Sequence, residues 1–359
     1  MNRTHPQVWL LCGHKAGDNN QLLALAEALG WPYQIKKMAY RPYELLVGRL
    51  GATLVGIDLE KSDSLTPPWP DLILTAGRRN EAAALWIRKQ AQKKVRIVHV
   101  GRPWAPLRHF DLIVTTPQYQ LPRQANVHYN LLPLYRITQE KLEEAASHWQ
   151  SKVTLPPPYL TVLVGGDSGP CLFDREAAGR LAGQVNRMAK EMSASVLIST
   201  SARTPLEAVS ILEREITVAK QLYRFQPGGS GNPYLGFLGL AQAIVVTGDS
   251  ISMLAEACAT GRPVHIFPFG YGHWAMRESL TQPSSSLPFW DRRKLKAWRS
   301  SLALTFAPKR LRRDIRRMHR ALIESGRAVW LGEKFAGRPP APVNELTITA
   351  ARVKALFIS

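Results

Sequence analysis

The sequence predicts an α/β protein with two Rossmann-like, doubly wound domains that face each other across a cleft. Three observations predict this class. Apolar, strand-like runs alternate with helical stretches along most of the chain, and several of these runs are continuously apolar, as in buried parallel strands. The same alternation begins afresh after the three consecutive prolines Pro156–Pro158. The length of 359 residues also suits two cores better than one.

Residues 1–150 are predicted to form the first of these domains, an N-terminal domain on the acceptor side. Runs such as "LIL" and "RIVHV" have no polar alternation, so we expect helices to cover both faces of the sheet. The predicted strands are Val8–Cys12, Tyr33–Lys37, Asp71–Thr75, Val95–Val100 and Asp111–Thr115, and the predicted helices include Asn20–Leu29 and Asn80–Gln90.

Residues 151–288 are predicted to form the second domain, which would bind a nucleotide sugar. Its boundary is placed near Ser151–Pro158, where a short helix gives way to the proline break. The predicted strands are Tyr159–Val164, Ser195–Ser199, Leu222–Phe225, Ala243–Val246 and Val264–Phe267. The predicted helices are Asp174–Met192, Pro205–Ile216, Pro233–Ala241 and Ser250–Thr260.

Residues 289–359 are predicted to form a basic, helical C-terminal extension that packs back on the N-terminal domain. The stretch "FAPKRLRRDIRRMHRALIESG" is interpreted as a helix, because Leu311, Ile315, Met318 and Leu322 follow the spacing of a single apolar stripe. Its other faces are mostly arginine. We therefore expect one docked side and one exposed, cationic side.

Positive charge is the strongest feature of the composition. The chain has 47 Lys and Arg against 27 Asp and Glu, a net charge of +20, and half of this excess lies between Trp290 and Phe335. Such a field attracts an anionic surface, either nucleic acid or the inner leaflet of a membrane, although a solvated basic face without a partner is the alternative. No specific nucleic acid is expected as a partner, because no recognisable binding module or aromatic platform accompanies the charge.

The location expected from the sequence is cytoplasmic, with peripheral attachment to the inner face of the cytoplasmic membrane. No apolar run approaches 18 residues, and the five apolar residues Val8–Cys12 are too few for a signal peptide. The three cysteines are far apart, which is typical of reduced cytosolic thiols. With no Cys/His cluster, we expect neither a metal site nor a cofactor.

The loop "CGHKAGDNNQ" follows the first predicted strand and opens the first predicted helix. Ligands of parallel sheets bind beyond the carboxyl ends of the strands, so this loop is a candidate site. Asp18 would serve either as a general base or as the N-cap of the helix. The polar residues crowded into this loop are His14, Lys15, Asp18, Asn20 and Gln21.

A second loop of the first domain, "TAGRRN", ends the third predicted strand and begins a helix. Glycine and arginine at a helix N-terminus favour anions, which makes Arg78 a candidate for substrate binding. An ordinary turn with surface arginines is the alternative.

In the second domain, the loop "LVGGDSGPC" is interpreted as a phosphate cradle. Gly165 and Gly166 would let a phosphate approach the backbone closely, with Ser168 beside it. The loop is not a P-loop, because no Gly-Lys-Ser/Thr follows. The next loop, "STSARTP", places hydroxyls around Arg203, whose planar fork suits a phosphate or a carboxylate.

The stretch "VVTGDSISMLAEACATGRPVHIF" is a strand followed by a helix that starts with hydroxyl residues. Ser250 and Ser252 lie in the first turn, where free N–H groups and the helix dipole favour a diphosphate. Glu256 follows Ser252 by four residues, so both lie on the same face. A carboxylate there can accept two hydroxyls of a sugar ring, as in a bound nucleotide sugar. A helix cap with a solvated acid is the alternative.

These segments together resemble a known family. "GHKAGDNNQ", "LTAGRR", "TSART" and "NPYLGFLGLAQAIVVTGDSISMLAEA" resemble the mitochondrial-fission-type family, whose bacterial members are treated as glycosyltransferases. "TGDSISMLAEACATGRPV" and "GGDSGP" also resemble the donor-nucleotide segments of GT-B glycosyltransferases. The resemblance extends from about Val8 to Phe267, and it implies a GT-B-like fold.

The resemblance also implies roles for the candidate residues. Asp18 occupies a place where the related glucosaminyltransferase of peptidoglycan synthesis has a histidine, a departure that leaves the general base open. Asp18 and Arg203 are assigned to catalysis. The residues assigned to donor binding are Gly165, Gly166, Ser168, Ser201, Thr204, Asn232, Gly248, Ser250, Ser252, Met253 and Glu256. Those on the acceptor side are His14, Lys15, Asn20, Gln21 and Arg78.

The expected function is glycosyl transfer without a metal, since no D-x-D motif occurs. The sugar would move from a nucleotide-diphosphate sugar to a cell-envelope glycan or lipid-linked acceptor, with the lipopolysaccharide core as the first choice. A non-enzymatic adaptor on the same fold is one alternative. A nucleotide-sugar epimerase is another, disfavoured because "GHKAGDN" lacks the glycines of a dinucleotide fingerprint.

Overall fold

The computed structural model describes residues 5–42, 51–228, 231–277, 291–342 and 344–358. The strands are β1 (Val8–Cys12), β2 (Tyr33–Lys37), β3 (Leu72–Ala76), β4 (Arg96–Val100), β5 (Leu112–Thr115), β6 (Val127–Tyr129), β7 (Tyr159–Val164), β8 (Ser195–Thr200), β9 (Lys220–Tyr223), β10 (Ala243–Thr247), β11 (Val264–Phe267) and β12 (Val329–Trp330). The helices are α1 (Ala16–Leu29), α2 (Glu81–Gln90), α3 (Gln139–Gln150), α4 (Arg175–Glu191), α5 (Leu206–Glu215), α6 (Tyr234–Leu240), α7 (Ile251–Ala259), α8 (Arg292–Phe306), α9 (Arg316–Glu324) and α10 (Glu345–Ala355).

The chain forms two compact units. The first consists of Met1–Arg136, Pro308–Arg313 and Asn344–Ser359, and the second of Ile137–Ala307 and Asp314–Val343. Each unit has its own six-stranded parallel sheet with helices on both faces, so the predicted class of two Rossmann-like, doubly wound domains is confirmed.

The sheet of the first unit has the strand order β2-β1-β3-β4-β5-β6. Its inner strands β1 and β3 are buried along their whole length, which explains their uninterrupted apolar sequences. Residues of α1 and α10 pack on one face, and residues of α2 pack on the other. The chain leaves β1 toward β2 and then returns to the other side at β3. The topological switch point of this sheet therefore lies between β1 and β3.

The sheet of the second unit has the order β12-β11-β10-β7-β8-β9. The chain runs from β7 outward through β8 to β9 and then resumes at β10 on the other side of β7. Helices α4 and α5 pack their buried residues on one face of this sheet, and Phe237 of α6 packs on the other. The switch point of this sheet lies between β7 and β10, where a parallel sheet is expected to bind its ligand.

The units differ from the predicted domain ranges in two places. Helix α3, which we assigned to the N-terminal domain, belongs to the second unit, because it packs closely against α6. A Cβ atom on Gly239 of α6 would lie only 2.5 Å from the Leu142 carbonyl oxygen of α3. The predicted extension 289–359 is divided, since only 308–313 and 344–359 belong to the first unit.

The predicted C-terminal helix is shorter than expected. After Pro308 the chain forms a single 3₁₀ turn, Lys309–Leu311, and the α-helix begins only at Arg316, whose backbone N–H donates to the Asp314 carboxylate at 3.1 Å. Met318 and Leu322 are buried as the stripe predicts, together with His319. The sequence reasoning did not find β6, β12, α8 or α10.

No helix among the described residues combines the length and the apolarity that a bilayer span requires.

The close packing of α3 on α6 predicts opposite results for two glycine substitutions. Gly239→Ala should lower the free energy of unfolding by about 1–3 kcal/mol, because the new methyl group meets backbone that cannot move away easily. Gly183→Ala, within α4, has open space around its Cβ position and should leave stability unchanged or raise it by up to about 1 kcal/mol. Urea denaturation of both variants measures the difference, and equal effects would contradict this packing.

Candidate functional site

A pocket in the first unit lies at its switch point, between the loop that follows β1 and the loop that follows β3. Its position agrees with the rule that ligands bind beyond the carboxyl ends of parallel strands. The residues that line it are Gly13, His14, Lys15, Asp18, Asn19, Tyr40, Ala76, Gly77, Arg78 and Arg79.

Four of the predicted acceptor-side or catalytic residues, His14, Lys15, Asp18 and Arg78, line this pocket together. Two others do not line it. Helix α1 begins at Ala16 rather than at the expected Asn20, so Asn20 and Gln21 lie inside the helix. The Gln21 amide donates a 3.4 Å hydrogen bond to the Gly17 carbonyl, one turn earlier.

Among the pocket residues that the sequence reasoning did not assign to the site, three contribute polar side chains, Asn19, Tyr40 and Arg79, and the first two shape its wall. The Asn19 side chain pairs with both backbone groups of Gly13, accepting at 3.0 Å and donating at 2.8 Å. The Tyr40 hydroxyl donates to Asn80 at 2.7 Å, and Asn80 donates in turn to the Leu11 carbonyl at 2.7 Å. A Cβ atom on Gly13 would overlap the Tyr40 hydroxyl, so this position requires glycine.

The pocket is strongly cationic. The Arg79 guanidinium, the third residue missed, lies 3.1 Å from His14 Nδ1 and 5.3 Å from the centre of the Tyr40 ring. Arg78 stacks over the Trp104 ring at 4.5 Å. Burial raises the pKa of the Tyr40 hydroxyl well above its usual value, which keeps it protonated and able to donate.

Asp18 is the acid in this cationic pocket. The N-cap position of α1 is Lys15, so the alternative interpretation of Asp18 as the N-cap is wrong. Gly77 follows β3 with φ +69° and places its backbone close to the Asp18 carboxylate. Among the residues that the structure describes, no hydrogen bond or ion pair to this carboxylate is found. Its position at the switch point fits a group that contacts a ligand.

In the second unit, the switch point is organised by Asp249, a residue that we had not singled out. Its side chain is completely buried directly after β10. One carboxylate oxygen accepts from the Gly166 backbone N–H at 2.9 Å and from the Arg203 guanidinium at 2.8 Å. These donors belong to the loops after β7 and β8. One carboxylate therefore joins three strand-end loops. Burial raises the pKa of Asp249, and the charge of Arg203 opposes that rise.

The structure gives Gly165 and Gly166 a different role from the predicted phosphate cradle. The Gly165 N–H donates to the Thr247 hydroxyl at 2.7 Å, and the Gly166 N–H is held by Asp249. A Cβ atom on Gly165 would overlap the Asp249 carboxylate, and one on Gly166 would overlap the Arg203 backbone. The cradle interpretation is corrected, because these glycines make room for protein atoms and their N–H groups are already used.

Several predicted donor-binding residues build the loops themselves. The Thr204 hydroxyl accepts from the Ser201 N–H at 2.9 Å and donates to the Gly165 carbonyl at 2.6 Å, which ties the loop after β8 to the loop after β7. Ser168 exchanges backbone hydrogen bonds with Cys171 in a tight turn. The Asn232 side chain accepts from the Tyr234 N–H at 3.0 Å at the start of α6.

Helix α7 begins at this same edge, directly after Asp249. Ser250 is buried at the N-cap position, but its side chain makes no capping hydrogen bond and lies 3.4 Å from the Ser252 hydroxyl. Ser252 is exposed and Met253 is half-buried. The N-terminal N–H groups of α7 are therefore not satisfied by a side-chain cap, and the alternative of Ser250 as an ordinary cap is wrong.

Gly248, between β10 and α7, is fixed from behind by a buried histidine. His319 Nε2 donates to the Gly248 carbonyl at 2.6 Å, and a Cβ atom on Gly248 would lie 2.8 Å from Met276 Sδ. Glycine is required here for packing, whereas we had assigned it to donor binding.

Glu256 is held in place by a hydrogen bond. The alternative interpretation of Glu256 as a solvated acid is therefore wrong. The Tyr234 hydroxyl donates to its Oε2 oxygen, and burial raises the pKa of this carboxyl. No hydrogen bond to Oε1 is found among the described residues. The second unit thus brings together Arg203, the start of α7 and Glu256. The expected meeting of these groups with Asp18 across a cleft stays a prediction.

Most of the chain matches a known protein family. The family described as mitochondrial fission ELM1 matches residues 16–284, about three quarters of the chain. The chain belongs to the mitochondrial fission ELM1 family. The matched range contains the Asp249 edge of the second unit and the pocket residues of the first unit from Asp18 onward, and it confirms the resemblance found in the sequence.

Two curated relatives are similar to this chain over long stretches. The mitochondrial fission protein ELM1 of Arabidopsis thaliana is 28% identical over 232 residues, which cover 58% of this chain and 54% of the relative. The match therefore spans about half the length of that plant protein. A protein of Rickettsia prowazekii (strain Madrid E), RP120, is 24% identical over 295 residues, covering 72% of this chain and 82% of the relative.

Solved structures with a similar fold include glycosyltransferases and epimerases. The UDP-GlcNAc 2-epimerase of Neisseria meningitidis, bound to UDP-GlcNAc, is 12% identical with a TM-score of 0.47, covering 98% of this chain and all of the other. MurG of Acinetobacter baumannii is 9% identical with a TM-score of 0.42, covering 97% and 99%. The ADP-heptose LPS heptosyltransferase II of E. coli is 13% identical with a TM-score of 0.42, covering 89% and 99%. These likenesses concern the fold alone.

Two buried histidines of the second unit predict how stability depends on pH. Burial lowers the pKa of both His265 and His319 to about 4, whereas the unfolded chain binds these protons near pH 6.5. Between these two values the unfolded state holds more protons, so the free energy of unfolding should fall as pH falls from 6.5 toward 4. The loss amounts to about 2 kcal/mol for each ring at pH 5.

Urea denaturation between pH 7 and pH 4.5 measures this loss. The variant His265→Leu removes one of the two rings at a site where Nδ1 makes no hydrogen bond, and it should flatten the pH dependence by about half of the predicted loss. An unchanged slope in this variant would show that other groups cause the acid sensitivity.

Proposed function

We propose that this protein is a metal-independent glycosyltransferase that binds a nucleotide-diphosphate sugar on its second unit. One observation carries the proposal. At the switch point between β7 and β10, the Arg203 guanidinium is hydrogen-bonded to the buried Asp249 carboxylate. Asp249 directly precedes the N-cap residue of α7, so it holds the arginine at the edge of the sheet where this helix begins. A fixed cation and an uncapped helix N-terminus at one sheet edge are suited to a diphosphate.

Arg203 would stabilise the leaving group. Its hydrogen bonds to Asp249 and to the Asp167 carbonyl, the latter at 3.2 Å, use only part of its donor set, and its side chain is 47% exposed. The guanidinium is therefore oriented by the protein before a ligand arrives. As the bond between sugar and diphosphate breaks, the electron pair stays on the phosphate oxygen, where donors held in place lower the barrier.

Glu256 would bind the ribose of the nucleotide. Tyr234 fixes one carboxylate oxygen, and Oε1 would accept ribose hydroxyls. Ser252 lies one turn earlier on the same face of α7 and would contact the phosphate end. The spacing of four residues thus separates a diphosphate region from a sugar region along one helix.

The acceptor would bind in the pocket of the first unit, with Asp18 as the general base. Its carboxylate would take the proton from an acceptor hydroxyl as that oxygen attacks the sugar. His14, Lys15 and Arg78 would bind negative charge on the acceptor. A cell-envelope glycan or a lipid-linked acceptor, with the lipopolysaccharide core first, fits this cationic pocket.

A non-enzymatic adaptor on the same fold is the second candidate, favoured by the name of the Arabidopsis relative. An adaptor needs no ligand at the edge of the second sheet. The two candidates therefore differ in whether a nucleotide sugar stabilises the folded chain.

Nucleotide-sugar binding can be tested by thermal unfolding in the presence of UDP-, GDP-, ADP- and CMP-sugars. One of these should raise the melting temperature, because a ligand that binds only the folded state stabilises it. Glu256→Gln should weaken that binding about tenfold or more, since it loses a charge-assisted hydrogen bond to ribose. Glu207→Gln, at an exposed ion pair of α5, is the matched control and should bind normally. If no nucleotide sugar shifts the wild-type protein, the adaptor is favoured.

The role of Asp18 predicts a separation of binding from transfer. Asp18→Asn keeps the shape of the side chain but cannot take a proton, so it should slow sugar transfer by about 100-fold or more. Nucleotide-sugar binding, measured by the same melting shift, should be unchanged, because Asp18 belongs to the other unit. Normal turnover in Asp18→Asn would assign the general base to another residue.

A further inference from the structure

Helix α8 of the second unit exposes large apolar side chains. Leu295, Trp298, Leu302 and Phe306 are 54%, 60%, 38% and 78% exposed. Their spacing of three, four and four residues places them in one stripe along the helix, about 16 Å long. Within α8, all of whose residues are described, Ala297 is the buried one. An ordinary surface helix has the opposite arrangement, with its large apolar residues turned toward the core.

On its opposite side, α8 contacts its own unit through Arg293. Arg293 makes two hydrogen bonds to the Asp167 carboxylate, at 2.6 and 2.7 Å, and a third to the Phe173 carbonyl at 3.1 Å. Ala297 follows Arg293 by one turn on this docked side. The Asp291 side chain caps the start of the helix at 2.6 Å. The apolar stripe therefore lies on the side of α8 that faces away from these contacts.

Cations accompany the apolar stripe. The sequence of α8 contains five Lys and Arg and no acid. Arg292, Lys296 and Arg299 are exposed and follow one another at four and three residues, so they form a second stripe directly beside the first. The exposed side of α8 thus has an apolar line bordered by positive charge.

We propose that α8 docks the protein on an anionic lipid surface, with the helix axis parallel to the membrane plane. The apolar stripe enters the boundary between headgroups and acyl chains, and Arg292, Lys296 and Arg299 contact the anionic headgroups. This inference goes beyond the proposed function and stands on the composition and attachment of α8 alone.

The two stripes together favour a membrane over other anionic partners. A nucleic acid would match the positive charge, but its phosphates offer nothing to Trp298 and Phe306. A protein groove could cover the apolar stripe. The adjoining line of Arg292, Lys296 and Arg299, on a helix without an acidic residue, favours a surface whose boundary is anionic along the whole helix. A membrane has an anionic headgroup layer above an apolar interior. Its surface can therefore contact the cationic stripe and the apolar stripe on the exposed side of α8 at the same time.

The attachment of α8 also links the lipid surface to the proposed donor site. The Asp167 side chain holds Arg293 of α8, and the Asp167 backbone carbonyl accepts from Arg203. Both contacts lie within the second unit. A membrane bound by α8 would therefore lie near the loop that orients Arg203, which suits an acceptor that is anchored in lipid.

Co-sedimentation of the full chain with vesicles tests the docking surface. Vesicles with about 30% phosphatidylglycerol in phosphatidylcholine should bind the protein at least tenfold better than phosphatidylcholine alone, and added salt should weaken the difference. The variant Trp298→Ser/Leu302→Ser/Phe306→Ser should lose at least tenfold of this binding. Leu206→Ser, at an exposed leucine on α5, is the matched control and should bind as the wild type does. Because all these side chains are exposed, circular dichroism should show every variant folded.

A fluorescent probe on the stripe locates the contact. The three native cysteines are buried, so Leu302→Cys offers the accessible thiol for an environment-sensitive label. Its emission should shift to the blue on anionic vesicles, whereas a label at Ser210→Cys on α5 should not respond.

Three results would overturn the proposal. The first is wild-type protein that stays in solution with anionic vesicles. The second is a triple variant that binds as well as the wild type. The third is a wild-type dimer in solution, measured by light scattering, that the triple variant abolishes, because a second copy of the chain would then cover the stripe.

Discussion

The second unit depends on one buried carboxylate. Asp249 accepts hydrogen bonds from the Gly166 backbone and the Arg203 side chain while standing at the end of β10, so it fixes the loops of three strands against one another. A buried charge is tolerated only when it is paired and hydrogen-bonded, and removal of either partner is costly. The position of Arg203, and with it the proposed diphosphate site, follows from this interaction.

The two units use the same topological principle with different chemistry. In each sheet, strands are added first on one side of the first strand and then on its other side. The loops that follow the two central strands therefore diverge at the carboxyl edge of the sheet. The first unit fills this place with Arg78, Arg79, Asp18 and an aromatic wall from Tyr40. The second fills it with the Asp249–Arg203 pair and the start of α7.

Strand positions and the fold class could be predicted from the sequence because buried parallel strands have an unmistakable apolar composition. The buried strands β1, β7 and β11 coincide with their predicted bounds, and so does β2, although it is an exposed edge strand. The sequence reasoning missed both α8, whose apolar stripe is exposed, and α10, which buries Ala350 and Val353 against the first sheet. Asp249 was overlooked although it stands inside the quoted motif, because nothing in "TGDS" tells a buried acid from a turn residue. Tyr40 and Arg79 were missed since their contacts join distant segments, whereas Asn19 was missed although it bonds Gly13 within the same loop.

The sequence by itself determined which residue types stand at the strand ends and therefore where a ligand could bind. Only the tertiary structure decided what the glycines of those loops are for. Gly165 and Gly166 have the same sequence signal whether a phosphate or protein atoms occupy the space of the missing side chain. The physical reason is that a glycine reports a need for room but not its occupant, and the occupants, the Asp249 carboxylate beside Gly165 and the Arg203 backbone beside Gly166, come from distant parts of the chain.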